Sequence, residues 1–125
     1  MTTAPHTIGA DQTLSKAHAM MREHSIRHLP VLSGGKLVGV LTDRDLRLVE
    51  SLKDVDPAKL MVEEAMTSDV FVVEPDMSLD EVVGTMGSKK IGSVVVMQNQ
   101  KVVGIFTTVD VCRAFAEMLH TRLAK

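Results

Sequence analysis

Two segments of the chain carry apolar residues at helical spacing. The i, i+3, i+4, i+7 pattern of one helix face occurs in residues 14–21 and again in residues 79–86. Its positions are Leu14, Ala17, His18 and Met21 in the first segment, and Leu79, Val82, Val83 and Met86 in the second. Each segment therefore predicts an amphipathic helix. Thr13 is a candidate N-cap for the first helix, and Ser78 with Glu81 gives the capping-box pattern at the start of the second.

Short apolar runs on both sides of each predicted helix favour strands. An extended piece precedes each helix, at residues 6–8 and 70–73. Two apolar runs follow it, residues 29–32 and 37–41 in one case and 94–97 and 102–106 in the other. Because four turn-forming or polar residues separate the runs, each pair predicts a hairpin. A last helix is expected to begin near Asp43 and near Thr108, which gives the order strand, helix, strand, strand, helix twice.

The two halves of the chain align under an ungapped shift of 65 residues. Matched identities include Met1 with Met66, Leu14 with Leu79, Met21 with Met86, Thr42 with Thr107, and Asp45 with Asp110. Two copies of this length indicate a duplicated unit, because solenoids need three or more repeats. A unit of about 60 residues buries little apolar surface alone, so the two copies are expected to pack together.

We therefore predict an α+β fold in which two β-α-β-β-α repeats form a pseudo-two-fold pair. The predicted boundaries are residues 1–56 for the first repeat and residues 66–125 for the second. Residues 57–65 are predicted to connect them, with a helix over residues 58–65, because Asp56-Pro57 resembles an N-cap followed by proline at the first helical position. The first copy starts at Met1 and is expected to lack the lead-in helix that residues 62–66 give the second.

The composition argues against several classes of function but does not identify the function. The 125 residues carry a net charge of −2 and no run of like charge, which argues against a general nucleic-acid binder. No apolar stretch approaches the roughly 20 residues of a membrane span, and the N-terminus lacks the features of a signal peptide. Cys112 is the single cysteine and excludes an internal disulfide. A cytoplasmic protein without membrane or nucleic-acid partners is expected.

The stretch GVLTDRDL, residues 39–46, returns as GIFTTVDV, residues 104–111. In both copies a Thr ends an apolar run and an Asp follows three residues later. This spacing suits a helix N-cap with an acidic residue in the first turn. It also suits a ligand site, since a helix N-terminus attracts phosphate and a carboxylate there can bind the two hydroxyls of a ribose. Both interpretations stay open on the motif alone.

The chain resembles a pair of CBS domains (cystathionine-β-synthase-type domains), the arrangement called a Bateman module. The resemblance covers essentially the whole chain. It depends on the element order, on IRHLPVL (residues 26–32) with its counterpart IGSVVVM (residues 91–97), and on the Gly-apolar-apolar-Thr-x-x-Asp motif in each copy. It implies binding of AMP, ADP, ATP or S-adenosylmethionine in clefts between the repeats, with no tightly bound cofactor.

The resemblance also implies roles for particular residues. Asp45 and Asp110 would hold ribose hydroxyls, and Thr42 and Thr107 would contact ribose or phosphate. The adenine slots would be lined near Ile8 and Val73, with Leu29 and Val94 nearby. Candidate phosphate contacts and cleft charges are Arg27, His28 and Arg44. The second copy has Gly92, Ser93 and Val109 at the corresponding positions, so the two clefts are expected to differ in charge and affinity.

The predicted function is an energy- or metabolite-sensing regulatory module acting on a partner protein that the sequence does not identify. The resemblance implies a homodimer of four repeats, with the apolar helix faces as candidate surfaces, although some of these residues must serve the internal core: Leu14, Met21, Leu79, Met86, Val111 and Phe115. The alternatives are a protein-interaction module that binds no nucleotide and a sensor of S-adenosylmethionine. No nucleophile–base pair supports an enzyme, and the five histidines lack metal-ligand spacing, so neither catalysis nor a metal site is predicted.

Overall fold

The computed structural model describes residues 2–3 and 5–123 and confirms the predicted order of elements in both repeats. The first half contains β1 (Thr2–Thr3), β2 (Ile8–Gly9), α1 (Leu14–His24), β3 (His28–Ser33), β4 (Lys36–Thr42) and α2 (Asp43–Glu50). The second contains α3 (Val62–Ala65), β5 (Val72–Val73), α4 (Leu79–Lys89), β6 (Ser93–Gln98), β7 (Lys101–Thr107) and α5 (Thr108–Leu123). The repeats are thus β2-α1-β3-β4-α2 and β5-α4-β6-β7-α5.

Each repeat builds its own sheet, and β1 crosses from the first repeat into the sheet of the second. The first sheet has the order β2-β3-β4, and the second has the order β1-β7-β6-β5. In both, the hairpin strands pair antiparallel and the strand before the helix pairs parallel with the first hairpin strand. Both hairpins also contain a register shift at equivalent places, after Val31 and after Val96. The duplication in the sequence is therefore a duplication in backbone geometry.

Helices α1 and α4 end in the same way although neither ends in glycine. Ser25 and Lys90 both adopt the left-handed conformation, with φ of 54° and 56°. In each case the next residue donates its N–H to a carbonyl of the last turn: Ile26 to Met21 and Ile91 to Met86, both at 2.9 Å. These bonds satisfy carbonyls that have no partner inside the helix.

The two predicted N-caps have different outcomes. Thr13 caps α1 as predicted, because its side chain accepts from the N–H of Lys16 at 3.2 Å. Ser78 occupies the N-cap position of α4, but its side chain makes no capping hydrogen bond. The capping box predicted for Ser78 and Glu81 is therefore wrong. The sequence pattern locates the start of the helix but does not determine whether the side chain forms the capping hydrogen bond. The exposed N–H groups at this helix start can be solvated instead.

The connecting segment contains less helix than predicted. A helix over residues 58–65 is wrong, because residues 57–59 form a turn and only Val62–Ala65 is helical. The side chain of Asp56 accepts from the N–H of Ala58 at 3.0 Å, a bond that favours a turn as readily as a cap. Residues 60–63 instead hydrogen-bond to the backbone that precedes α1: the N–H of Val62 donates to Gln12 at 2.8 Å. Packing against the first repeat thus overrides the local helix signal.

Each repeat has its own hydrophobic core, and the first core is the larger. Its buried members are Ile8, Ala10, Leu14, Ala17, Met21, Leu29, Val31, Leu41, Leu46 and Val62. The second core buries Val73, Val82, Met86, Val94 and Val96. Leu14, Met21 and Met86 therefore lie in the cores, so they are among the candidate residues that serve the internal core and not a partner surface. The helical period finds the apolar face but does not say whether the same chain or a partner covers it.

A third buried layer lies between the repeats. Its members belong to neither core and are Pro30, Val40, Val95 and Ile105. They form two equivalent pairs under the 65-residue shift, and alternation along the strands directs them away from the cores. Strands β4 and β7 contact each other here. This layer joins the two sheets, which supports the pseudo-two-fold arrangement.

Candidate functional site

Thr42 ends β4 and caps α2 in a complete capping box. Its hydroxyl accepts from the N–H of Asp45 at 3.1 Å, and its own N–H donates to Asp45 Oδ2 at 2.9 Å. Both residues are half-buried. The carboxylate also lies in the first turn of the helix, where negative charge is stabilised. The capping interpretation of the motif is therefore realised in the first repeat.

Thr107 and Asp110 repeat this geometry in part. The N–H of Thr107 donates to Asp110 Oδ2 at 2.8 Å, and its hydroxyl donates to the same oxygen at 3.3 Å. Among the described residues, Asp45 and Asp110 each use only Oδ2 in these bonds. Oδ1 of each carboxylate remains able to accept a hydrogen bond from a ligand. Capping and ligand binding are therefore compatible.

His28 begins β3 directly opposite Thr42 and connects the two motifs electrostatically. Burial lowers the pKa of His28 most, and the neighbouring Arg27 lowers that pKa further. The carboxylates of Asp45 and Asp110 both act in the opposite direction on the pKa of His28. A side chain of the first repeat thus lies in the field of both aspartates. The fold places His28 opposite Thr42 and within the electrostatic influence of Asp45 and Asp110.

Arg27 and Arg44 flank this region from the surface. Both side chains are exposed. The carbonyl of Arg27 accepts from the N–H of Asp43 at 2.9 Å, which ties the turn before β3 to the start of α2. The equivalent bond joins Thr108 to Gly92 at 3.0 Å. The same backbone frame therefore carries arginines in the first repeat and no cation at the matching positions 92 and 109 of the second.

The four apolar residues predicted near the adenine slots lie on the core side of the sheets. The side chains of Leu29 and Val94 are fully buried in the two cores. Ile8 borders a cavity of about 410 Å³ beside the turn at Gly34 and Gly35. Val73 and Val94 border an apolar cavity of about 230 Å³ under α4.

Gly39, the first residue of the motif, must lack a side chain because another segment of the same polypeptide passes close to it. A Cβ at this position would lie 2.7 Å from the carbonyl oxygen of Thr67 and 2.6 Å from Met66 Sδ. Residues 66 and 67 lead into the second repeat and were not predicted to contact the motif. The sequence allows two reasons for this glycine, the close approach of a ligand or the close approach of backbone. The structure shows the close approach of backbone.

Three observations on the described residues concern membrane spanning, metal binding and disulfide formation. None of the helices in residues 5–123 is both long and apolar enough to cross a membrane. Over the same part of the chain, no three His, Cys, Asp or Glu side chains come together in a group that could hold a metal ion. Cys112 is exposed and not in a disulfide.

Two β-α-β-β-α repeats, each with a Thr-x-x-Asp motif at the end of its hairpin, define a class of paired repeat domains. The CBS domain profile matches residues 1–51 and 62–117, and the chain belongs to the CBS-domain family. Among similar proteins, the CBS domain-containing protein YhcV of Bacillus subtilis is 31% identical over 110 residues, covering 88% of this chain and 78% of YhcV. Hypoxic response protein 1 of Mycobacterium tuberculosis is 31% identical over 119 residues, covering 94% of this chain and 83% of that protein.

Solved structures show the same fold. The CBS domain pair of protein MJ0100, in complex with 5′-methylthioadenosine and S-adenosyl-L-methionine, superposes with a TM-score of 0.83 at 29% identity. The match covers 94% of this chain and 93% of the MJ0100 chain. The prediction of a tandem CBS pair is thereby confirmed.

Proposed function

We propose that this protein is a stand-alone regulatory CBS pair that binds an adenosine-containing ligand, AMP, ADP or ATP, between its two repeats. It would act as an energy or metabolite sensor in the cytoplasm, where a single exposed cysteine is compatible with reducing conditions. The observation that carries the proposal is the position of His28 in the field of both Asp45 and Asp110.

The chemistry of this region fits a nucleoside. A ribose presents two neighbouring hydroxyl donors, and each aspartate has an oxygen that is not used in capping. The start of α2 adds N–H groups that favour a phosphate, and exposed Arg27 and Arg44 add positive charge. Since the second repeat lacks these arginines, the two clefts should bind with unequal affinity. A ligand touching both repeats would favour one arrangement of the pair, which a partner protein could read.

A sensor of S-adenosylmethionine is the second candidate. The complex of the MJ0100 domain pair with 5′-methylthioadenosine and S-adenosylmethionine favours it. A sulfonium carries positive charge where a nucleotide carries phosphates, so the same cleft arginines would oppose this ligand and favour AMP. A protein-interaction module that binds no nucleotide is the third candidate. The observation that favours it is the complete capping box at Thr42.

Calorimetric titration of nucleotide-free protein with AMP, ADP, ATP and S-adenosylmethionine tests these candidates. We expect saturable binding of one ligand at one or two sites per chain. A ligand at about 100 times its Kd should also stabilise the fold by about 2.7 kcal/mol. The double variant Asp45→Asn, Asp110→Asn keeps an oxygen for capping but should weaken binding at least about tenfold, since a charge-assisted hydrogen bond is lost at each site.

The matched control is Asp80→Asn, which changes another first-turn aspartate, in α4, and should leave binding intact. Absence of heat and of thermal stabilisation with all four ligands at millimolar concentration would reject the sensor. The Thr-x-x-Asp motifs would then serve only as helix caps.

We also propose that the functional form is a homodimer, through α5. None of the described residues of α5 is buried, and Phe115, Met118 and Leu119 are exposed apolar residues close together on it. A second copy would cover this surface in a symmetric contact. Sedimentation equilibrium should show a dimer that Phe115→Glu dissociates, whereas Glu117→Gln on the same helix should not. A monomer at all concentrations would reject the dimer and leave the nucleotide proposal untouched.

A further inference from the structure

The turns of the two hairpins border a common cavity of about 330 Å³, here called the hairpin cavity. Three of its residues belong to the first hairpin and have their equivalents in the second under the 65-residue shift: Leu32 with Met97, Gly35 with Gln100, and Leu37 with Val102. The other residues that border it are Pro5, Thr7 and Lys101. Both repeats therefore build the hairpin cavity, which lies where the pseudo-two-fold relation brings their turns together.

The hairpin cavity and the Thr-x-x-Asp motifs lie at opposite ends of the same strands. In β4, Leu37 borders the cavity and Thr42 ends the strand. In β7, Val102 borders the cavity and Thr107 ends the strand. Five positions in the sequence correspond to about 17 Å along a strand. A ligand that fits the hairpin cavity therefore lies apart from the region proposed for the nucleotide.

The third wall of the hairpin cavity is the crossing from β1 to β2. Strand β1 runs antiparallel to β7, with Thr2 opposite Ile105. The chain therefore approaches the second hairpin turn from the motif end of β7, and it borders the cavity at Pro5 and Thr7. The hairpin cavity is thus formed by this crossing and the two turns, and the direction of β1 turns the segment ahead of Thr2 away from it.

The lining combines an apolar surface with hydrogen-bond donors at one edge. Its half-buried apolar side chains are Pro5, Leu32, Leu37, Met97 and Val102. Gln100 and Lys101 are exposed at the edge, where both can donate hydrogen bonds and Lys101 carries positive charge. None of the described residues that border the cavity is acidic. This lining fits a molecule with an apolar body and a single anionic head.

A neighbouring cavity indicates at which end the anionic head lies. The cavity of about 410 Å³ described above shares Thr7 and Leu32 with the hairpin cavity, and it is also bordered by Asp11 and Glu63. These two carboxylates disfavour an anion on that side. The head is therefore expected beside Lys101, with the apolar body directed toward the first hairpin.

Gln100 borders the cavity in a backbone conformation that costs stability. The second turn is Asn99-Gln100, with φ of 53° and 65°, and the first is Gly34-Gly35, with φ of 57° and 80°. A turn with positive φ at both central residues favours Asn-Gly, so asparagine suits its position and glutamine is strained at the other. Of the two non-glycine residues of this turn, only the strained one borders the cavity. Strain of this kind is typical of ligand sites.

We propose that the hairpin cavity binds an aliphatic monocarboxylate. The tail packs on the apolar lining of both repeats, and the carboxylate accepts hydrogen bonds from Lys101 and from the side-chain amide of Gln100. The volume equals that of about eleven water molecules, which corresponds to a ligand of about ten to twelve non-hydrogen atoms. The site needs no nucleotide. Because the ligand contacts both repeats, its binding should raise Tm.

A series of ligands tests this chemistry on nucleotide-free protein. Calorimetric titration with octanoate should show saturable binding at one site per chain. Butyrate should bind at least about tenfold more weakly, because each buried CH₂ group contributes up to about fourfold in affinity. Octanamide has the same tail without the charge, and it should bind about threefold to tenfold more weakly than octanoate.

A change of Lys101 tests where the head lies. Lys101→Gln should weaken octanoate about threefold to tenfold and leave octanamide unaffected, because only the charged ligand loses an attraction. Lys89→Gln is the control. It removes the same charge from an exposed position at the end of α4, next to the start of β6 and away from its turn, and it should leave both ligands unaffected.

The strained turn gives a test in which stability and binding change in opposite directions. Gln100→Gly should raise Tm, because glycine adopts positive φ without strain, and it should weaken octanoate because the amide donor is lost. Asn99→Gly alters the same turn outside the cavity and should leave octanoate binding unchanged. On titration, the methyl signals of Leu37, Met97 and Val102 should shift.

Several results would overturn the proposal. These are the absence of saturable octanoate binding, equal binding of octanoate and octanamide, and unchanged octanoate binding in both Lys101→Gln and Gln100→Gly. Methyl shifts confined to Met118 and Leu119 would also overturn it, because octanoate would then bind only the exposed surface of α5. Gln100→Gly should bind AMP as the wild type does. A chain that binds octanoate and no nucleotide would reject the nucleotide sensor alone, and the reverse result would reject the hairpin cavity alone.

Discussion

Val40 and Thr67 exchange both of their backbone hydrogen bonds, each at 2.9 Å, across the boundary between the repeats. The equivalent pair, Ile105 and Thr2, is aligned in the same antiparallel way at the edge of the other sheet. Each repeat therefore receives the leading residues of the other beside its second hairpin strand. This reciprocal pairing, with the buried layer of Pro30 and Val95 next to it, fixes the orientation of the two repeats.

Gly39→Ala should disrupt this pairing. The new methyl group would lie 2.7 Å from the carbonyl oxygen of Thr67, and backbone cannot move away as cheaply as the flexible side chain of Met66. We expect a loss of about 1–3 kcal/mol in the free energy of unfolding measured by urea denaturation. Gly87→Ala is the control, since nothing lies near that position in α4 and alanine favours helix there, and it should stabilise by about 0.5–1 kcal/mol. Equal effects of the two changes would contradict the close approach at Gly39.

Leu14→Ala and Leu79→Ala should have different costs although the residues are equivalent in the repeat. Leu14 is enclosed by Val62 and the rest of the first core, so truncation should cost about 2–5 kcal/mol. Leu79 is half open to solvent, and its truncation should cost less than about 1 kcal/mol. Urea denaturation of both variants checks this. Similar losses would mean that the side chain of Leu79 is covered in solution.

Thr42→Ala should destabilise the protein more than Thr107→Ala. The hydroxyl of Thr42 accepts from the N–H of Asp45 in a complete box, and its removal should cost about 1 kcal/mol. The hydroxyl of Thr107 donates to Asp110 at 3.3 Å, while the N–H bond to the same oxygen survives the substitution. Thr42→Ser keeps the hydroxyl and should restore most of the loss. Thermal denaturation of the three variants gives the order, and a larger loss for Thr107→Ala would contradict the observed bonds.

His28 should make stability depend on pH. In the folded state, burial and Arg27 lower the pKa of His28 below the usual 6.5, although the carboxylates of Asp45 and Asp110 act to raise it. Between the lowered pKa and 6.5 the unfolded chain binds more protons than the folded chain, so stability is lost as pH falls through this window. Urea denaturation at about pH 7.5 and about pH 5.5 should show this fall in wild type.

His28→Gln should show a smaller fall over the same pH range. His120→Gln, on exposed α5, should keep the wild-type dependence. If His28→Gln and wild type lose stability equally, the folded-state pKa of His28 is not depressed.

The hydrophobic period and the 65-residue repeat determined the elements, their order and the pair of repeats. Strand and helix positions follow from which residues alternate with a period of 2 or 3.6, and that information is local. The N-cap at Thr13 and the helix starts at Thr42 and Thr107 also followed from local chemistry. The sequence further determined that the motifs differ in charge, since Arg27 and Arg44 have no counterpart in the second copy.

Only the tertiary structure decided which apolar faces are covered. Leu14 and Leu79 carry the same pattern, yet Val62 reaches one and leaves the other open, because the connecting segment packs on the first repeat alone. The helix expected over residues 58–65 is shorter for the same reason, since the backbone of residues 60, 62 and 63 bonds to residues 10–14. The electrostatic influence of Asp110 on His28, 82 positions away in the chain, also depended on how the sheets pack. Periodicity is a property of one segment. Which apolar faces are covered, and which distant residues influence each other, depends on contacts between segments, and no local pattern encodes these contacts.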